Sequence, residues 1–127
     1  MNNINTTPLI IGSIYGAISV ILGAFAAHAL KKKMKPSLLA SFETGVKYQM
    51  YHALLLVTLG LMPQNNKLTN VANLISIGVF LFSFSIYGLT LSATFSKKIK
   101  VLGPITPIGG LCLVAGWCML AYYFMTL

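Results

Sequence analysis

The chain is predicted to be an all-α membrane protein, a four-transmembrane-helix bundle forming a single domain over residues 1–127, and three observations lead there. Of its 127 residues, 57% are hydrophobic and only 8% charged, more apolar surface than one small water-soluble core can hide. The apolar residues fall into four long runs, at about 8–30, 37–62, 71–96 and 107–126. The basic residues, all nine of them lysine, cluster mainly at the ends of those runs, as anchors at a membrane surface do.

The first run, Pro8 to Leu30, has 23 residues, enough to cross ~30 Å of hydrocarbon at 1.5 Å per residue. Gly12, Gly16, Ser19 and Gly23 recur at helical spacing and form a stripe that lets backbones approach closely, a favoured packing surface in lipid. The stretch Gly23 to Lys33, GAFAAHALKKK, closes the helix with a histidine and three lysines and marks one membrane face. Ala24-Phe25-Ala26 resembles a signal-peptide cleavage site, but residues 1–7 lack the basic residues of an n-region, so the first helix is expected to be retained.

The second helix starts at Pro36-Ser37, with Ser37 placed to cap. Leu38, Leu39, Phe42 and Val46 share one side of its opening turns, which are expected to lie at the interface before the helix enters lipid. Glu43 and Lys47 are spaced for a local ion pair, and Lys47, Gln49 and His52 make the first half of the span polar. A short polar connection, Pro63 to Asn70, precedes the third helix, along which Asn73, Ser76, Ser83, Tyr87, Thr90 and Thr94 form a stripe expected to face other helices. Thr106 and Pro107 suit the N-cap and first position of the fourth helix, whose Gly109, Cys112 and Gly116 form a second small-residue seam. Cys112 and Cys118, six apart on this helix, are expected to be buried and reduced. Tyr122 and Tyr123 suit an interfacial belt.

The connections carry four, one and three lysines in turn, and four crossings put the first and third on one side. The positive-inside rule then places those two in the cytoplasm of a cell inner (plasma) membrane, with both termini outside.

Four blocks, GAFAAHALK, YQMYHALLL, FSFSIYGLTL and LGPITPIGGLCLVAGW, taken in order, resemble the YgdD-like family of small uncharacterised multi-pass membrane proteins. That family has bacterial inner-membrane members and a mitochondrial relative. The resemblance spans about residues 12–117 and implies a multi-pass membrane protein with no assigned enzyme activity. Two positions depart from the pattern: Ala26 and Phe84 stand where the family usually has glycine.

The sharpest candidate chemistry is the histidine pair. Measured from Lys31 and Lys47, His28 and His52 differ in depth by only ~3 Å, close enough for contact between adjacent helices. A candidate polar cluster of His28, Glu43, Thr44, Tyr48 and His52 follows, expected to hydrogen-bond neighbouring helices or backbone. His28 projects about 150° from the glycine stripe, which makes the first helix central and packed on two faces, with His28 toward His52. Haem ligation would use such a pair, yet nothing specifies a macrocycle pocket, and two imidazoles with one carboxylate leave a metal incompletely bound. No cofactor, metal or catalytic set is expected, nor nucleic acid as a partner.

Lys100, Thr106, Gly109 and Gly110 form a candidate lipid headgroup site at the start of the fourth helix, where open N–H groups and the helix dipole favour an anion. Packing is expected to use Gly12, Gly16, Ser19, Gly23, Ser83, Tyr87 and Gly116. The expected function is a structural or accessory factor of the cytoplasmic membrane that engages anionic lipid or a membrane partner, as a homo-oligomer or with another protein. The alternative is a small oligomeric transporter or proton conductor using His28, His52 and the polar face of the third helix.

Overall fold

The computed structural model describes residues 4–127, so the first three residues of the expected outer N-terminal tail lie outside the described residues. Four long helices follow one another up and down. Helix α1 is Thr6–Lys33, α2 is Pro36–Leu61, α3 is Asn66–Phe95 and α4 is Ile105–Met125. Among the described residues there are no strands. Among the described residues, three segments are long and apolar enough to cross a membrane: α1, α3 and Lys100–Met125, which contains α4. Helix α2, which carries Glu43, Lys47, Gln49 and His52, is not among them.

The boundaries move for local reasons. The three lysines are the last turn of α1 rather than a connection, since cations suit a helix C-terminus, and the chain leaves the helix at Met34 in an extended conformation. Lys35 is extended as a residue before proline must be, and Pro36 opens α2 itself, so Ser37 is inside the helix and does not cap it. Helix α3 begins five residues earlier than its apolar run because the Asn65 side chain accepts from the Leu68 N–H and caps it. The Asn65 amide also donates to the Tyr123 hydroxyl at 2.9 Å, tying the start of α3 to the end of α4. The shared side of Leu38, Leu39, Phe42 and Val46 is turned into the bundle. Phe42 is fully buried and the other three pack on Ala26, Leu30, Met34 and Tyr87 inside the bundle.

Helices α1 and α2 are antiparallel and in close contact. A Cβ on Gly12 would stand 2.8 Å from the Ala53 carbonyl oxygen and 2.9 Å from a Val57 methyl, so only glycine fits. Gly16 and Gly23 meet the same helix more loosely, against Ala53 and Val46. Ser19 is buried in this seam with its hydroxyl unpartnered. The stripe is thus covered within the chain. Its opposite side, including Ala17, Ala24 and His28, is exposed, so α1 packs on one face and is peripheral rather than central.

Helices α3 and α4 form the other close pair. Gly109 rests on the backbone of α3 at Leu81 and Phe82, where no side chain has room, and Gly116 rests on Ile75. That contact falls on a π-helical turn, Phe80–Phe84, a local widening of α3; a second such turn, Ala26–Leu30, interrupts α1. Of the two positions that depart from the family pattern, Ala26 is fully buried and Phe84 is half-buried against Tyr87 and Phe80. The thiols are free. Cys112 is half-buried against Gly78, but Cys118 is exposed on the outer side of α4, against the expectation that both would be buried.

Candidate functional site: the polar interior around the second helix

Helix α2 is the one on which the interhelix hydrogen bonds of the interior converge. Gln49, fully buried, donates from Nε2 to the Tyr15 carbonyl of α1 at 2.8 Å and accepts at Oε1 from the Tyr87 hydroxyl of α3 at 2.6 Å. One turn toward the start of α2, the Gly45 carbonyl accepts from the Ser83 hydroxyl at 2.7 Å. Tyr15 in turn donates its hydroxyl to the Ser76 carbonyl at 2.8 Å, joining α1 to α3. Every one of these groups would be costly in lipid without a partner.

His52 joins α2 to α4. It is buried, and the Trp117 indole N–H donates to its Nε2 at 3.0 Å while its Nδ1 lies 2.6 Å from the Tyr48 carbonyl. Indole nitrogen donates only, so Nε2 is the acceptor and Nδ1 carries the proton. The imidazole is therefore a neutral bridge with both nitrogens committed. Its ring also stands edge-on to Trp117, with centroids 5.9 Å apart. A metal or haem iron would reach Nε2 only by displacing Trp117. Among the described residues, no three His, Cys, Asp or Glu side chains gather as metal ligands.

Of the predicted polar cluster, Tyr48 and His52 are brought together, and the expected bonds to backbone and a neighbouring helix are made by Thr44 and His52, but His28 and Glu43 stand apart from them. Gly16 sits opposite Ala53 and Gly23 opposite Val46, so His52 is level with residue 17 and His28 with residue 41. The offset from residue 17 to residue 28 is ~16 Å, not ~3 Å. Lys47 is the misleading landmark: it lies on the exposed side of α2, well inside the helix rather than at its end. His28 is exposed on the π-helical turn of α1, which also rotates it away from the direction a regular helix would give. Glu43 and Thr44 are exposed too, the Thr44 hydroxyl bonding the Ala40 carbonyl of its own helix. Tyr48 contributes its carbonyl to His52 and its ring to Phe82, 5.2 Å away. Gln49 and Trp117 are the members that sequence reasoning missed. Gln49 could have been found as the one side-chain amide in α2.

The third-helix stripe turns its polar atoms to structural use. Ser76, Thr90 and Thr94 bond carbonyls one turn back, Ser83 reaches α2, and Asn73 is exposed.

The predicted headgroup cradle is not assembled either. Helix α4 starts at Ile105, ahead of Thr106, whose hydroxyl pairs with that of Ser85 at 2.5 Å. Gly109 is buried against α3 and Gly110 packs on the Phe82 ring, so the glycines serve helix contact. Lys100 is exposed on a short 3-10 turn, Lys100–Leu102.

A model of the family described as Protein of unknown function (DUF423) matches residues 22–110. The chain is 41% identical over 114 residues to the UPF0382 membrane protein SH2409 of Staphylococcus haemolyticus, covering 88% of this chain and 89% of that one. It is 39% identical over 108 residues to the UPF0382 membrane protein C1782.12c of Schizosaccharomyces pombe, covering 84% and 92%. It is 36% identical over 116 residues to the UPF0382 membrane protein YwdK of Bacillus subtilis, covering 88% and 90%. No solved structure matches it. The all-helical fold, its three membrane-length apolar segments and these relatives agree: the chain belongs to the DUF423/UPF0382 family of membrane proteins, found in bacteria and in fission yeast.

Proposed function

We propose that this is a four-crossing protein of the cell inner membrane, with both termini outside, that acts as a structural or accessory factor and engages anionic lipid or a membrane partner through its lysine-rich cytoplasmic face. The YgdD-like affiliation belongs to the same reading and rests on the four sequence blocks. The fourth crossing is α2. It runs antiparallel to α1 from Val46 to Gly60, and bonds both α1 and α3 from its interior. A helix held between two crossing neighbours by short connections has to cross with them.

The observation that carries the functional reading is the commitment of His52 and Gln49, whose side-chain nitrogens are all engaged in holding helices together or in bonding α2 to itself. A proton carrier needs a group free to change partners. The interior is built as a joint, and the free chemistry is at the lysine end, where the first and third connections and their flanks hold seven lysines. Glu43 is the sole acid in the chain. Each such lysine attracts an anionic surface by ~1 kcal/mol.

The test is reconstitution of the full chain into vesicles loaded with a pH-sensitive dye. The expected result is proton leakage equal to that of protein-free vesicles. Protein-dependent flux that His52→Ala abolishes while leaving the fold intact would overturn the reading in favour of a transporter.

A further inference from the structure

The lysine-rich end contains an open groove of about 450 Å³ between α2, the end of α3 and the start of α4. Its size falls in the ~300–1,000 Å³ range of small-molecule sites. Leu38, Ile86 and Leu89 supply apolar wall, and Lys98 stands at the groove on the connection. The hydroxyls that also line it are already spent. Ser41 bonds the Ser37 carbonyl, Thr44 the Ala40 carbonyl, Thr90 the Ile86 carbonyl, and Thr106 the Ser85 hydroxyl. Among the described residues, the groove lining thus offers largely satisfied hydroxyls and one cationic side chain, Lys98. Glu43 is ~100° around α2 from Thr44, off the groove wall.

We infer that this groove holds one anionic phospholipid, its phosphate at Lys98 and one acyl chain along Leu38, Ile86 and Leu89. The inference rests on the proposed anionic-lipid face and locates its specific site. Charge decides the occupant. The groove lies at the end where lysines outnumber acids seven to one, and its lining joins a lysine to apolar side chains, the two chemistries a phospholipid presents. This moves the site from Lys100 and the two glycines to a neighbouring surface, since those glycines are occupied by helix packing.

The test reconstitutes the full-length protein in phosphatidylcholine vesicles. These carry a trace of either phosphatidylglycerol or phosphatidylcholine with a photoactivatable acyl chain, and adducts are mapped by mass spectrometry. Phosphatidylglycerol adducts are expected to concentrate on segments 38–44 and 86–90, well above those of phosphatidylcholine. Leu89→Trp, which fills the groove, should remove them while general enrichment of phosphatidylglycerol around the protein persists. Lys98→Gln, a surface change that leaves the fold alone, should reduce the groove's preference for phosphatidylglycerol about fivefold. Adducts spread evenly over all lipid-facing helices, with enrichment retained, would overturn the groove and leave the lysine-face reading standing. Absence of any enrichment over phosphatidylcholine would overturn both.

Discussion

Trp117 of α4 donates its indole N–H to Nε2 of His52 on α2 at 3.0 Å, and that bond fixes the histidine as a neutral linker. It joins two helices far apart in sequence, and it explains why a histidine is tolerated at a depth where it has no charged partner. Trp117→Phe keeps an aromatic ring beside His52 and removes only the donor. Unfolding in mixed detergent should show a loss near the ~0.6 kcal/mol average for such bonds in membranes. His52→Ala, which also empties buried volume, should cost about 1–3 kcal/mol. A double-mutant cycle with no coupling between the two would show that the bond does not form.

Gln49 binds α1 with its amide nitrogen and α3 with its amide oxygen. Gln49→Leu leaves the Tyr87 hydroxyl buried without its acceptor and should destabilise the protein by about 1–3 kcal/mol. Adding Tyr87→Phe removes the orphaned hydroxyl, so the double variant should recover part of that loss. If Tyr87→Phe makes Gln49→Leu additively worse, the two side chains are not partners.

Gly109 meets the α3 backbone at Leu81 and Phe82, which cannot step aside as a side chain would. Gly109→Val should separate α3 from α4 and cost about 1–3 kcal/mol or more, an overpacking penalty. Gly16→Ala, where a Cβ would find its nearest neighbour at 4.0 Å, should be near neutral. Equal effects of the two on thermal stability would mean that the α3–α4 contact is looser than described.

Much of this fold could be read from residue order. The apolar runs gave four helices, and Gly12 and Gly109 marked two close contacts of helix against backbone, because glycine at helical spacing has a direct steric meaning in lipid. Depth was harder to read. Lys47, exposed in mid-helix, looks in sequence like a residue at a helix end, and nothing in the residue order separates the two, so His52 reads as level with His28. The π-helical turns were also hidden, since nothing in AAHAL or FLFSF marks an extra residue in the turn. Gln49 stood out as a lone amide, but its partners and those of Trp117 needed the tertiary arrangement, because which bond an amide or indole makes depends on a helix elsewhere in the chain.

A four-crossing bundle requires α2 to cross the membrane as the interior helix despite its polar residues. Cysteine accessibility tests this most directly. In a chain with Cys112 and Cys118 replaced by alanine, Gln64→Cys marks the second connection and Ser37→Cys the first turn of α2, both exposed positions at opposite ends of that helix. An impermeant maleimide should label Gln64→Cys in intact cells, and Ser37→Cys only after the membrane is opened. Labelling of both in intact cells, or of neither until permeabilisation, would put the two ends of α2 on one side and contradict the four-crossing bundle.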